Sequence, residues 1–169
     1  MTYPAIGIIV AVTVLLGGCA QPQSADEFRK SASGPSLSKV VTREVNRPLR
    51  EVAATFRARA PECLNATVRR TLAGPSYHVV DVTYKPTVVV TDQRAELHVQ
   101  MRHTRGVINV IQEPEGGFYM LIADVHPVDS KRSRIEIFGS STGNDVMTRA
   151  IVGWATGKDL GCPDMAQVG

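Results

Sequence analysis

The segment Gly139–Gly143 has the residue types of a nucleophilic turn. It reads Gly-Ser-Ser-Thr-Gly and matches the G-x-S-x-G pattern that sets a catalytic serine between a strand and a helix. In the hydrolases that use this turn, the proton-accepting histidine follows the serine in the chain, whereas the last histidine here is His126. We therefore interpret the segment as a polar turn before a helix, and we predict no catalytic residue and no enzymatic activity.

The histidines and cysteines do not have the spacing of metal ligands. The histidines are His78, His98, His103 and His126, and no two of them form an HxH or HxxxH pair. Cys63 and Cys162 each lack a CxxC partner and a nearby histidine. The sequence therefore predicts no bound metal and no cofactor.

Three carboxylates interrupt apolar strand patterns. They are Asp81, Asp124 and Glu136. A buried carboxylate can have a raised pKa and act as a general acid or base, but it is more often paired with an arginine, and Arg134 is available on the next strand. Asp124 shares the alternation of Phe118 and Met120, which would place it at the mouth of any cavity that those side chains line.

The charge balance argues against a nucleic-acid partner. The chain has 19 Lys and Arg against 16 Asp and Glu, a net charge of +3. Nucleic-acid binding leaves a basic stripe with interleaved aromatic residues, and the sequence has only scattered basic doublets. We expect a mixed, solvated surface.

The amino terminus indicates export. The first 18 residues have no charged side chain, and Ala5–Leu16 is an apolar run of 12 residues that contains Thr13. A membrane-spanning helix needs about 20 such residues. The run is too short for that, and the small residues Gly17 and Gly18 follow it, as in a signal peptide before its cleavage site.

Leu16-Gly17-Gly18-Cys19 resembles the lipobox of bacterial lipoproteins. The resemblance implies that residues 1–18 are removed, that Cys19 is acylated by palmitate-like chains on its thiol and new amine, and that several chains hold the protein at a membrane. Ala20 after the cysteine, in place of Asp, implies the periplasmic side of the outer membrane rather than the inner membrane. The alternative is an uncleaved signal anchor or a buried helix with an incidental cysteine.

If Cys19 takes the lipid, two cysteines remain. An oxidising periplasm would let Cys63 and Cys162 form a disulfide, and the alternative is two buried free thiols. The Ser-, Gln- and Pro-containing stretch 19–36 is typical of a flexible tether. It leaves 37–165 as a single periplasmic domain.

Hydrophobic periodicity then defines the elements of this domain. A β-branched strand at 38–46 precedes an amphipathic helix at about 49–60, for which Asn46 should be the cap and which Pro61 should end or bend. Six strands follow, at about 66–72, 77–91, 94–103, 107–112, 117–126 and 132–139. A last helix should begin after the cap Asn144 and end at Gly157.

The order β-α-β6-α predicts an α+β fold with an antiparallel sheet and two terminal helices. It resembles the helix-grip (START-like) fold, which implies a cavity between a curved sheet and the C-terminal helix; the alternative is a two-layer α+β sandwich. The residues that would line such an apolar pocket are Phe56, Phe118, Met120, Met147, Ile151 and Trp154.

Two functions fit this sequence. The first is a membrane-anchored, non-enzymatic envelope module that binds a protein partner or supports an envelope complex. The second is a carrier or sensor of an apolar ligand held in the grip cavity. A ligand pocket would need roughly 300 Å³ or more of apolar space.

Overall fold

The computed structural model describes residues 21–34, 38–72, 78–103, 113–140, 143–158 and 160–168. These ranges form three α-helices, six strands and a short 3-10 helix at Met165–Gln167. In chain order the elements are α1 (Ala25–Ala32), β1 (Ser38–Val45), α2 (Leu49–Leu64), β2 (Ala66–Leu72), β3 (His78–Val90), β4 (Ala95–His103), β5 (Phe118–Pro127), β6 (Ser133–Ser140) and α3 (Asp145–Thr156).

The six strands form one antiparallel sheet in the order β1-β6-β5-β4-β3-β2. The predicted α+β class is therefore confirmed. The predicted strand at 107–112 lies outside the described residues. β2 to β6 follow one another as sequential neighbours, while β1 lies beyond β6, so α2 carries the chain from one edge of the sheet to the other.

This crossing places α2 over one side of the sheet, which we call the helix face. α2 contacts β3, β4 and β5, and α3 lies beside α2 and next to β6. The helix at the centre of the sheet is thus α2, whereas the helix-grip resemblance implied the C-terminal helix. Fully buried side chains fill this layer; the largest include Trp154, Phe56, Leu97, Leu121 and Met147.

Pro61 does not end α2. The helix continues through Cys63 to Leu64, so the predicted end at residue 60 is wrong. Cys63 and Leu64 are both buried, and their packing favours continued helix. Pro61 itself is exposed and removes only the hydrogen bond to the carbonyl of Arg57, which is also an exposed residue that water can reach.

The predicted caps of α3 are right in position, whereas the predicted cap of α2 is wrong. Asn144 is the N-cap residue of α3, yet its side chain makes no capping bond; its Nδ2 donates to the carbonyl of Met120 at 2.8 Å. Gly157 ends the helix with φ of 77°, the left-handed conformation that glycine adopts without strain. For α2, Pro48 is the N-cap residue instead of Asn46.

The predicted disulfide is present. Cys63 at the end of α2 and Cys162 after α3 are joined, with their Cα atoms 4.9 Å apart. The domain also extends past the predicted boundary at 165, because Val168 is fully buried in the main core. The bond joins the end of α2 to the segment that follows α3.

The predicted flexible tether is wrong for residues 25–32. They form α1, which lies across β1, β6 and β5 on the side of the sheet opposite α2. We call this side the outer face. The physical reason is a small apolar cluster that needs covering: Ile122 is fully buried and Phe138 nearly so, and Ala32 of α1 is buried against them.

A β-bulge in β5 changes which of its side chains point to each face of the sheet. Val99 pairs with Leu121 but the next residue, Gln100, pairs with Tyr119, so Met120 is an extra residue. Met120 and Leu121 consequently both contact the helix-face core, and the alternation resumes out of phase. The prediction that Asp124 shares a side with Met120 is therefore wrong.

Candidate functional site

The outer-face site begins with the local signals that form α1. The hydroxyl of Ser24 accepts a hydrogen bond from the backbone N–H of Glu27 at 3.2 Å, which caps the helix. The carboxylate of Glu27 reaches back and accepts from the backbone N–H of Gln23 at 2.7 Å. Ser-Ala-Asp-Glu thus has the S-x-x-E sequence of a capping box, although Glu27 bonds the residue before the cap rather than the cap itself, and this sequence is a local signal for a helix start.

An apolar strip fixes α1 to the sheet. Its members on the helix are Ala25, Phe28 and Ala32, and those on the sheet are Tyr119, Ile122 and Phe138. The rings of Phe28 and Tyr119 lie 5.7 Å apart between centroids, within the range of a favourable aromatic pair. The strip is small, so apolar burial alone gives α1 a modest hold.

Arg29 supplies the second hold. Its Nε donates to Asp124 Oδ2 at 2.7 Å and its Nη2 donates to Asp124 Oδ1 at 2.8 Å, a two-pronged pair. The same Nη2 also donates to the carboxylate of Glu96, and Nη1 donates to Asp26 at 2.7 Å. Asp124 and Glu96 are neighbours on adjacent strands, so one guanidinium can form ion pairs with both carboxylates.

These charges are largely shielded from water. The side chains of Arg29, Asp124 and Glu96 are 14%, 4% and 11% exposed. Burial works against the charged form of Arg29, but hydrogen bonds and attraction to Asp124 and Glu96 outweigh it and raise its pKa. The arginine therefore stays charged, and its loss would leave Asp124 shielded with no described cation beside it, while Glu96 would keep Arg94.

Glu96 has further partners on its own strand. His98 Nε2 lies 2.9 Å from its Oε2, and Arg94 Nη2 lies 2.6 Å from its Oε1. Burial pushes the pKa of Glu96 up, but hydrogen bonds from His98 and Arg29 and the nearby arginine charges lower it overall. A carboxylate held charged in this way is a structural anion rather than a proton donor near neutral pH.

The other predicted carboxylates are placed differently. Asp81 pairs with exposed Arg69 at 3.0 Å. Glu136 lies opposite Asp124 across β5 and β6, so the outer face carries a row of three acidic residues. Arg134, the expected partner of Asp124, instead lies 3.6 Å from Glu44. The sequence identified Asp124 but missed Arg29 and Glu96.

Most residues of the predicted apolar pocket meet on the helix face. Phe56, Met147, Ile151 and Trp154 are buried in its main core and Met120 packs against it. Phe118 is partly buried, and its ring lies 6.5 Å from that of His103. None of the six lines the open surface groove of about 520 Å³ beside the start of α2.

The remaining predicted features are quickly placed. Gly139 lies in β6 and Gly143 lies just before α3, and Ser141 and Thr142 between them lie outside the described ranges. Cys19 also lies outside them. In the part of the chain that is described, no group of three His, Cys, Asp or Glu side chains could hold a metal ion. Among the helices there, none is long and apolar enough to cross a membrane.

Comparison with known proteins adds little. No protein-family model matches the chain, and no curated protein does. A solved structure of a hypothetical protein from Helicobacter pylori aligns with a TM-score of 0.34 and 12% identity, over 74% of this chain and 86% of that one. At that score we draw no conclusion from the alignment.

Proposed function

We propose that this chain is an acyl-anchored bacterial envelope lipoprotein whose domain is a non-enzymatic binding or accessory module for a protein partner. Cys19 would carry the lipid after removal of residues 1–18, and the domain would face the periplasm from the outer membrane. The observation that carries the proposal is the Cys63–Cys162 disulfide.

The disulfide supports the proposal in two ways. Disulfides persist in oxidising compartments such as the periplasm and are rare in the cytosol, which favours export. The bond also uses two of the three cysteines, so Cys19 in Leu-Gly-Gly-Cys is left for acylation. Export and a free amino-terminal thiol are the two conditions that a lipoprotein needs.

The binding role is supported by the open sheet. β1 and β2 are its edge strands, and no other described strand covers their outer edges. An exposed strand edge can add a strand from a partner. No observation on the described residues favours the alternative of an apolar-ligand carrier.

Acylation is tested by growing cells with a clickable palmitate analogue. We expect label on the wild-type protein and its recovery with outer membranes, and neither for Cys19→Ser. The Cys63→Ser/Cys162→Ser double variant is the matched control and should still be labelled. Label on Cys19→Ser, or none on the wild type, would refute the lipoprotein assignment.

The binding role is tested separately with a photo-crosslinking residue in living cells. A probe at Val40, which is 40% exposed on edge strand β1, should yield one reproducible crosslinked protein. The same probe at Arg57, on the exposed side of α2, is the control and should not yield that product. Equal products from both positions, or none from Val40, would argue against a partner at this edge.

A further inference from the structure

Half of the outer face is left open by α1. The helix lies across part of β1, β6 and β5, where Val40, Glu44 and Arg134 stay exposed, while the outward side chains of β2 and β3 and the end of β4 have no helix over them. We call this surface the open half; it includes Arg69, Val79, Thr83, Lys85, Val89 and Arg102. Val79 and Val89 are 61% and 43% exposed.

The orientation of α1 directs the amino-terminal end of the helix toward this open half. An eight-residue helix is about 12 Å long, which matches the width of the three adjacent strands that α1 crosses. Its carboxyl end leads into β1 at the sheet edge. Its earlier residues Phe28 and Arg29 contact β5, and the Arg29 side chain reaches β4, so the amino-terminal end of α1 is directed toward the β4 side.

The linker from the lipid to α1 is short. Cys19 and the cap residue Ser24 are separated by five peptide units, which extend to at most about 18 Å. If α1 were not docked, the free chain would run to Ser38 and extend to about 65 Å. The docked helix thus shortens the reach of the anchor several-fold and fixes the side on which it emerges.

We propose that the open half of the outer face lies against the membrane, with phospholipid headgroups as its partner. This inference rests on acylation of Cys19 under the proposed function. With α1 docked, only the short linker from Cys19 to Ser24 separates the acyl chains from the end of the helix near β4. The bilayer therefore lies close to β4, and the neighbouring strands β3 and β2 face the headgroups.

The chemistry of the open half fits a phospholipid surface with anionic headgroups. Arg69 and Arg102 are 75% and 57% exposed; each has a carboxylate partner, Asp81 and Glu113. Lys85 is exposed, and no described residue forms an ion pair with it, so the patch keeps an excess positive charge. An anionic membrane surface attracts basic side chains that lie near it.

The test uses the mature acylated protein in vesicles of phosphatidylethanolamine and phosphatidylglycerol. An amine-reactive reagent labels surface lysines, and mass spectrometry measures the rate at each lysine. Lys131 and Lys158, exposed in the β5–β6 turn and after α3, are internal references. We expect Lys85 to label several-fold more slowly than both, and this protection to vanish for unacylated Cys19→Ser protein mixed with the same vesicles.

The variant Phe28→Ala checks that docked α1 is what orients the domain. The substitution weakens the packing of α1 on the sheet without leaving a buried charge unpaired. The variant protein should therefore keep its lipid, and its Lys85 should no longer be protected from labelling. If intact mass shows the acyl chains while Lys85 labels as fast as Lys131, the membrane-facing surface is refuted and the lipoprotein assignment stands. If the mass shows no acyl chains, both are refuted.

Discussion

The two faces of this sheet are covered by different kinds of interaction. On the helix face, α2 and α3 bury a continuous apolar layer around Phe56 and Trp154, and a disulfide joins the end of α2 to the segment that follows α3. On the outer face, α1 buries three small or aromatic side chains and pairs Arg29 with two carboxylates. Apolar burial varies little with pH or salt, whereas the charge pairs depend on both.

The difference makes α1 the adjustable part of the molecule. A helix of eight residues is not stable by itself in water, so α1 exists as a helix only while it is docked. The helix face should unfold only with the whole domain, while α1 can open locally at a lower free energy. Four changes test this division.

The disulfide should have the largest effect on the helix face. Cys63 and Cys162 are 99 residues apart, and in the chain-entropy model closing a loop of that size stabilises the folded state by about 4–5 kcal/mol. The Cys63→Ala/Cys162→Ala variant should lower the free energy of unfolding by that order in urea titrations. A loss of that size when only Cys19 is replaced would contradict the assignment.

The same truncation on both faces compares them directly. Phe56→Ala removes a fully buried ring and should cost about 3–5 kcal/mol of stability. Phe28→Ala removes a partly buried ring from α1 and should cost about 1 kcal/mol or less in global unfolding. Urea denaturation of both variants measures the difference. Equal losses would mean that α1 belongs to the same cooperative unit as the core.

The helix face could be predicted from the sequence because its signal is periodic. Met147, Ile151 and Trp154 recur at helical spacing, and all three are buried where that spacing places them. All six described strands likewise lie within one residue of their predicted ends. The end of α2 was misjudged because packing of Leu64 outweighs the local cost of Pro61.

The outer face could not be predicted in the same way. Arg29 lies 95 residues from Asp124 in the chain, and no local pattern links them. The bulge at Met120 shifts the alternation of β5, which hides the side on which Asp124 lies. The only usable local signal was the S-x-x-E sequence at Ser24 and Glu27. It lies in the polar, Pro-containing stretch 19–36, whose composition is typical of a flexible tether.

Arg29→Ala should undock α1 without unfolding the domain. An unpaired buried charge typically costs about 3–5 kcal/mol, but here the helix can leave and let water reach Asp124 and Glu96. We expect a global loss of only about 1–2 kcal/mol, because undocking limits the penalty. Hydrogen exchange should show residues 25–33 exchanging fast, with α2 still protected.

A matched set separates charge pairing from simple side-chain loss. Arg29→Lys keeps the charge but lacks the two-pronged geometry, so it should restore part of the protection. When Asp124→Asn and Glu96→Gln are added to Arg29→Ala, α1 should regain part of the hydrogen-exchange protection that Arg29→Ala loses. The reason is that no buried carboxylate is then left unpaired. If neither variant improves on Arg29→Ala, the ion pairs do not hold α1.

Acid should release α1 before it affects the helix face. The pKa of Glu96 is lower in the folded protein than its ordinary value of about 4.3, despite burial, because His98 and Arg29 bond its charged form. A lowered folded pKa stabilises the docked state above the ordinary value, and that stabilisation is lost as pH falls through the folded pKa. As the pH falls from about 5 to 3, residues 25–33 should therefore lose hydrogen-exchange protection, measured as the ratio of the intrinsic rate to the observed rate. The protection of α2 should not change. Glu96→Gln should weaken this pH dependence of the protection of α1. If the dependence is unchanged in Glu96→Gln, a group other than Glu96 controls the docking of α1.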